Sequence, residues 1–265
     1  MRDVLNSPAE RQQSRQARAK TVVPYAMGLI GCVIAVLIWH LLTVNASSSL
    51  HRFRPVDTLR SGWSLLESPR FWSGVIESMR RLLGALGMAV AIGVPVGIAI
   101  GYSKIANELT YVPFQFLRMI SPLSWTPVAI ITLGVGAGPV YFLVTTAAVW
   151  PIIINTAAGV RSTNPEWIAV ARCLGAGHWG IIRFILVRGT LPSILVGLQL
   201  ALGVGWIVLV PAEMLGVASG LGYMILDFRD INDYASIMAL ILIIGLLGLC
   251  LDLPLRWAVR VVSWH

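Results

Sequence analysis

Long apolar runs separated by short polar stretches make up most of the chain after residue 20. The apolar runs approach the roughly twenty residues that a helix needs to cross a hydrocarbon core of about 30 Å. They lie near 22–44, 82–102, 112–135, 140–160, 193–210 and 235–251. The pattern therefore predicts an all-α membrane protein with about six transmembrane helices.

The one long polar stretch inside this pattern is 161–190, which lies between the fourth and fifth predicted spans. Asn164 before Pro165 is typical of an N-cap followed by proline at the first helical position, and Glu166 then falls in the first turn. Gly175 is expected to end this helix, and a second one should run from His178 toward residue 192. Two interpretations stay open, namely a docking surface for another protein and a surface helix that only links two spans.

Several spans carry residues that predict how the helices pack. In the second span, glycines recur every four residues at Gly93, Gly97 and Gly101, which favours close approach of a neighbouring helix. The third span contains three prolines, so we expect a kinked helix. Asn155 in the fourth span would be costly against lipid and should face the bundle interior or a partner helix.

The segments outside the spans also have a recognisable character. Residues 45–77 include Trp63 and Trp72 and are typical of a loop with a helix at the membrane interface. Residues 216–234 are rich in glycine and aspartate and predict an outer loop with a short, partly inserted helix. Residues 1–20 are polar and basic, so we expect a cytoplasmic tail (1–20) followed by one membrane domain (21–265).

Composition supports this assignment and excludes several classes of protein. The chain is 57% hydrophobic and only 12% charged, with a mean hydropathy of +0.78, whereas about a quarter of the residues of a soluble protein are charged. The net charge of +8 comes from basic residues at span ends, where topology and anionic lipid account for them better than nucleic acid.

No catalytic or metal-binding pattern is found in the sequence. The three cysteines and four histidines have no ligand spacing, and no Walker A sequence is present. We therefore expect no enzyme activity and no cofactor in this chain. If transport is driven by ATP, then ATP and Mg²⁺ must bind to a partner subunit.

Several ordered blocks resemble the permeases of binding-protein-dependent ABC importers, in particular the nitrate, sulfonate, taurine and bicarbonate branch. The first is AVARCLGAGHW (169–179) followed by TLPSILVGLQLALG (190–203), which resembles the family's cytoplasmic coupling-loop motif. Gly175 takes the motif's glycine position, but the motif's glutamate is missing and Arg188 replaces its expected proline. Residues 121–136, 148–160 and 206–225 resemble further blocks of the same branch.

This resemblance implies a MetI-like helical bundle with a cytoplasmic coupling helix. It implies a bacterial inner-membrane subunit with both termini in the cytoplasm, a second copy of the permease, ABC ATPase subunits and a soluble or lipid-anchored substrate-binding protein. The expected substrate is a small anion such as a sulfonate, taurine, nitrate or bicarbonate. Import of a neutral or cationic nutrient, such as a pyrimidine or thiamine precursor, and an ATP-independent secondary transporter are the alternatives.

Two groups of residues follow as candidate sites. The expected contacts with the ATPase are Glu166, Trp167, Ala169, Val170, Ala171, Arg172, Gly175 and Ala176. The expected lining of the translocation pathway is Arg118, Trp125, Trp150, Asn155, Trp206 and Glu213. Each pathway residue also has a structural interpretation: the tryptophans as interface anchors, Arg118 reaching the membrane surface, and Glu213 capping the next turn.

Overall fold

A computed structural model describes residues 27, 28, 30, 31, 33–43 and 53–263. The chain divides into two compact units, Met1–Ser61 and Gly62–His265. The predicted tail 1–20 lies outside the described residues. The helices are α1 (Val33–Thr43), α2 (Pro55–Glu67), α3 (Pro69–Tyr102), α4 (Lys104–Met119), α5 (Thr126–Leu133), α6 (Ala137–Arg161), α7 (Pro165–Cys173), α8 (His178–Gly180), α9 (Val187–Gly216), α10 (Leu221–Asp230) and α11 (Tyr234–Ser263).

The described residues are helical or lie in turns between helices, so the predicted all-α class is confirmed. Within the part of the chain that the structure describes, four helical segments are long and apolar enough to cross a membrane, and a fifth is counted if α4 and α5 form one broken span. The four are Pro69–Tyr102, Ala137–Arg161, Ile181–Gly216 and Tyr234–Val262. Of the first predicted span, only the shorter apolar helix α1 is described.

The centre of the second unit is α6, which packs along α3 on one side and α9 on the other. The glycines predicted to allow close packing lie at the first of these contacts. A Cβ atom on Gly97 would lie 2.7 Å from the Cβ atom of Thr156 in α6, and Gly93 and Gly101 are as closely opposed to Ile152 and Val160. The prediction of close helix packing is confirmed.

The third predicted span is not a single kinked helix, and the prediction of its bounds is wrong. The chain forms α4, a short 3₁₀ turn at Pro122–Trp125, and α5, with an angle of 86° between the two halves. Ile120 and Ser121 are extended, as expected for residues that lead into Pro122. Pro113 lies inside α4 without ending it.

The helix that begins at His178 does not end near Pro192, which corrects a second expectation. After α8, one π-helical segment (Ile181–Leu186) leads directly into α9, and Pro192 lies inside α9. The predicted fifth span is therefore the later part of a 36-residue helical segment, Ile181–Gly216. It runs from α8, which follows α7, back to the opposite end of the bundle.

The bundle has two ends, called here the loop end and the α10 end. The loop end carries α7, the end of α6 and the start of α4. The α10 end carries α10, the start of α3 and the end of α9, and the buried residues Leu221 and Met224 attach α10 to the core there. The short helix predicted within 216–234 is thereby confirmed.

Candidate functional site

The polar stretch at the loop end forms the helix that its sequence predicts. The side-chain Oδ1 atom of Asn164 accepts a hydrogen bond of 2.9 Å from the backbone N–H of Glu166, and Pro165 is the first helical residue. The Asn164 amide also donates to the Glu166 carboxylate at 3.3 Å. Because the N-terminal N–H groups of a helix have no partner within the helix, these contacts fix the point at which α7 begins.

Gly175 ends α7 with a left-handed backbone turn at φ +81°. The N–H of Ala176 donates to the carbonyl of Ala171 at 2.9 Å, and the N–H of Gly175 donates to that of Arg172 at 3.0 Å. These two bonds define a Schellman motif, in which only glycine adopts the left-handed conformation at little cost. The glycine of the coupling-loop motif is therefore required by the backbone.

Most of the residues expected to contact a partner lie on the outer surface of α7. Trp167 and Val170 are each 58% exposed and Leu174 is 83% exposed, which places three large apolar side chains together in solvent. The inner face consists of Ile168 and Ala171, which pack with Ala176 against a small core. The other predicted contacts, Glu166, Ala169, Arg172 and Gly175, are exposed.

A second candidate site is a cleft of about 210 Å³ between α4 and α6, called here the α4–α6 cleft. Two of the residues predicted for the pathway, Arg118 and Trp150, line it together. The ring of Trp150 meets that of Phe114 edge to face, with centroids 5.3 Å apart, and Arg118 donates to Gln115 at 2.9 Å. The cleft combines an aromatic wall with two arginines, Arg118 and Arg161, and no carboxylate is among its lining residues.

Three other predicted pathway residues are packed within the bundle, away from this cleft. Asn155 donates to the carbonyl of Pro151 at 2.8 Å and faces Gly197 of α9, as expected for a polar residue inside the bundle. Trp206 is buried and donates to the carbonyl of Ile244 in α11 at 3.2 Å. Trp125 packs against the main core.

Glu213 lies in a buried polar network at the α10 end. Its carboxylate accepts hydrogen bonds from Arg81 at 2.7 Å, from the Ser78 hydroxyl at 2.8 and 2.9 Å, and from the backbone N–H of Gly222 at 3.0 Å. Arg81 also donates to the carbonyl of Ser219 at 2.8 Å. Glu213 is fully buried and Arg81 is 3% exposed, so this network joins α3, α9 and the start of α10 away from water.

Sequence reasoning missed Ser78 and Arg81 as functional or structural partners of Glu213. Both lie on one face of α3, three residues apart, at the edge of an apolar run. A charge at such a position signals a polar partner, because a lone buried charge is costly. The partner itself is 132 residues away along the chain, so the sequence alone could not identify it.

Comparison with known proteins decides the family. Residues 93–263 match the family described as the binding-protein-dependent transport system inner membrane component. The chain belongs to this family. The permease is 35% identical over 197 residues to the bicarbonate transport system permease protein CmpB of Synechococcus elongatus, which covers 74% of this chain and 70% of the relative. It is 30% identical over 249 residues to the taurine transport system permease protein TauC of Escherichia coli K12, which covers 92% and 90%.

The solved structures show the same fold. The permease matches a chain of the inward-facing MetNI methionine ABC transporter with a TM-score of 0.64, over 74% of this chain and 98% of that chain, at 21% identity. The predicted family and helical bundle are thus confirmed. The protein is a multi-pass membrane permease of the ABC importer type, and these relatives are named as transport system permease proteins.

Proposed function

We propose that this permease forms the membrane channel of an ATP-driven importer for a small anion. In this proposal α7 is the coupling helix, separate ATPase subunits dock on it, and a soluble binding protein delivers the substrate at the α10 end. A second copy of the permease completes the channel, and ATP with Mg²⁺ binds only to the ATPase subunits. The observation that carries the proposal is the exposed apolar surface of α7 in a chain of this family.

The surface of α7 has the features of a protein contact. Large apolar side chains that stand together in water mark interaction sites, and aromatic residues are enriched at the centre of interfaces. Trp167, Val170 and Leu174 form such a group, while capping at both ends holds the helix rigid. A rigid helix can transmit movement of a bound ATPase to α6 and α9, between which it is connected.

The distribution of ion pairs supports a cytoplasmic loop end. Each arginine of α3 and α10 has a carboxylate oxygen within 4.0 Å. Among the described residues, no carboxylate lies within this distance of a cation in α4, α6, α7, the π-helical segment or α9. These unpaired cations are Lys104, Arg118, Arg161, Arg172, Arg183 and Arg188. Lys and Arg accumulate on the cytoplasmic side of membrane proteins, and Asp and Glu change this bias little. The larger number of cations toward the loop end, six against the four arginines of α3 and α10, therefore supports a cytoplasmic loop end.

Two observations support an anionic substrate. The relatives include permeases named for bicarbonate transport and nitrate import, and among the described residues the α4–α6 cleft is lined by Arg118 and Arg161 without a carboxylate. A cation-lined cleft attracts small anions and repels cations. Import of a neutral or cationic nutrient would be indicated instead if the wild-type permease with its partners took up none of the tested anions, whereas unchanged anion uptake by Arg118→Gln would separate the α4–α6 cleft from anion selectivity.

The test is co-purification of the detergent-solubilised permease with candidate ATPase subunits. Trp167→Ala combined with Val170→Asp removes the apolar surface of α7 without touching its capping residues. We expect the double variant to lose the ATPase because a buried aromatic anchor typically contributes 2 kcal/mol or more to binding, by the rough scale of interface hot spots.

The matched control is Trp63→Ala, which removes a tryptophan that is 69% exposed on α2. This variant should retain the ATPase as the wild type does. Unchanged co-purification of the α7 double variant would contradict the docking proposal. A permease that transports in liposomes without ATP or a partner would contradict the proposed importer as a whole.

A further inference from the structure

A second cleft at the loop end is larger than the α4–α6 cleft and has a different lining. Its volume is about 470 Å³, and the ends of α3 and α6 meet the starts of α4 and α7 around it. We call it the loop-end cleft. Its lining residues are Ile100, Gly101, Tyr102, Ser103, Lys104, Asn107, Val160, Arg161, Thr163, Pro165, Ile168, Arg172 and Leu186.

Three cations from three different helices line this cleft. They are Lys104 of α4, Arg161 of α6 and Arg172 of α7, and no carboxylate lines the cleft with them. Among the described residues none of the three has a carboxylate oxygen within 4.0 Å. Three like charges that share one concave site repel one another unless an anion lies between them.

Neutral hydrogen-bonding groups complete the lining. Arg161 donates to the Oδ1 atom of Asn107 at 2.9 Å, and the side-chain N–H groups of Asn107 have no hydrogen-bond acceptor among the described residues. Thr163, whose hydroxyl donates to the carbonyl of Gly159 at 3.2 Å, and the first turn of α4, a helix of 16 residues, also line the cleft. Backbone N–H groups at a helix N-terminus add partial positive charge that favours an anion.

Membrane topology explains why basic residues are frequent at this end, but it does not explain their arrangement. Positions 104, 161 and 172 are far apart in sequence and converge on one cleft, whereas Arg183 and Arg188 stack on the ring of Phe184 outside it. Acidic residues are available nearby on the same helices, at Glu108 and Glu166, yet neither lines the cleft. The lining is selectively cationic.

We propose that the loop-end cleft is a binding site for an oxyanion of the phosphate or sulfonate type, held by Lys104, Arg161 and Arg172. The oxyanion has two possible sources, the phosphodiester headgroup of an anionic phospholipid in the surrounding leaflet and a free anion in solution. The loop-end cleft shares Ile100, Asn107 and Arg161 with the α4–α6 cleft, but Lys104 and Arg172 line only the loop-end cleft, so substitutions at these two positions test it separately from the substrate proposed above. Since Arg172 belongs to α7 and Arg161 to α6, an occupied site ties the coupling helix to the bundle.

The first experiment measures binding to the purified full-length permease in detergent. Retention of phosphatidylglycerol, with phosphatidylcholine as the neutral comparison, is measured by native mass spectrometry. Stabilisation by inorganic phosphate is measured by thermal unfolding. Lys104→Gln combined with Arg172→Gln should weaken binding of the effective probe by roughly tenfold or more, on the scale expected for removing two basic residues near an anionic surface.

The control is Arg183→Gln combined with Arg188→Gln, which removes the same charge at the same end but outside the cleft. It should leave binding within about twofold of the wild type. Selective loss of phosphatidylglycerol in the cleft variant identifies the lipid as the source, and selective loss of the phosphate effect identifies a free anion. No binding in the wild type, or an equal loss in both double variants, would overturn the proposal.

A second measurement does not depend on a variant that folds. The chain has only two lysines, Lys20 and Lys104, so acylation of amines can be followed at both by mass spectrometry. A bound oxyanion should slow the acylation of Lys104 severalfold relative to Lys20. Equal acylation rates with and without phosphatidylglycerol or phosphate would count against the site.

Discussion

At the scale of single residues, the most constrained position in the permease is Glu213. Every partner of its carboxylate belongs to a segment distant in sequence or to the start of α10, and the group is fully buried. A buried ion pair contributes little net stability compared with apolar residues, but removal of one partner leaves the other charge uncompensated. The role of the pair is therefore to fix where α10 meets α3.

This role predicts an asymmetry between single and double substitutions. Glu213→Ala should lower the free energy of unfolding by about 3–5 kcal/mol, because the buried Arg81 would keep only its longer, 3.5 Å contact with the carboxylate of Glu77. Glu213→Leu combined with Arg81→Met should cost less than either single change. Thermal unfolding of the purified variants measures both effects, and a double variant as unstable as the sum of the singles would contradict the pairing.

Gly220 is constrained by the same network. Its backbone is left-handed at φ +101°, and a Cβ atom there would lie 2.4 Å from a carboxylate oxygen of Glu213. Both the strain and the clash are avoided only by glycine. The sequence predicted an outer loop rich in glycine around this position, but the need for glycine at Gly220 follows from its contact with Glu213 and becomes visible only in three dimensions.

At the scale of helices, the contact between α3 and α6 depends on the absence of side chains. Gly97→Ala would place its Cβ atom 2.7 Å from the Cβ atom of Thr156 and 2.9 Å from the backbone carbonyl of Ile153. Since the backbone cannot yield as a flexible side chain does, the two helices must move apart. We expect a loss of about 1–3 kcal/mol in stability, typical of an overpacked contact.

Gly87 in the same helix provides the matched control. A Cβ atom there would have no neighbour within 4 Å, so Gly87→Ala should be neutral or should stabilise the helix by up to about 1 kcal/mol. Thermal unfolding in one detergent compares the two variants directly. Equal effects of the two substitutions would show that helix propensity, and not packing against α6, determines the result.

The helices also show what the sequence can and cannot predict. The bounds of α7 follow from Asn164, Pro165 and Gly175, because caps act through neighbours in sequence. Prolines are less informative: the chain breaks before Pro122 but continues as a helix through Pro113 and Pro192. A proline leaves one backbone carbonyl of the preceding turn without its hydrogen-bond donor. Whether the helix continues through the proline depends on other partners for that carbonyl, and those partners come from other segments.

Candidate site residues divide in the same way. Helical periodicity within a single capped helix predicts which residues of α7 face outward. The exposure of Trp167 and Val170 could therefore be predicted from the sequence. The sequence could not predict which cations line the loop-end cleft, because Lys104, Arg161 and Arg172 come from separate helices. Local chemistry is readable along the chain, while the composition of a cleft depends on tertiary packing.

At the scale of the whole molecule, the distribution of charge predicts an orientation for the permease. Among the described residues, each arginine of α3 and α10 has a carboxylate within 4.0 Å, whereas the cations of α4, α6 and α7 have none. Positively charged segments are retained in the cytoplasm during insertion, whereas neutral segments cross more readily. The α10 end should therefore face away from the cytoplasm, and α7 should face into it.

Cys173 allows this orientation to be measured. It is exposed at the end of α7, and the only other cysteines, Cys32 and Cys250, can be replaced by serine. In the single-cysteine permease expressed without partners, a membrane-impermeant maleimide should label Cys173 in inverted vesicles and not in intact spheroplasts. The labelled fraction is read by gel shift or mass spectrometry.

The α10 end needs a cysteine that is as exposed as Cys173. Absence of labelling at one cysteine shows its side of the membrane only if a cysteine on the other side is labelled in the same preparation. Asp230 at the end of α10 is exposed, with 66% of its side chain accessible, and Asp230→Cys in a chain without other cysteines provides this probe. It should be labelled in intact spheroplasts and protected in inverted vesicles. Labelling of Cys173 from outside would reverse the assignment, place the unpaired cations on the outer face and remove α7 from any contact with a cytoplasmic ATPase.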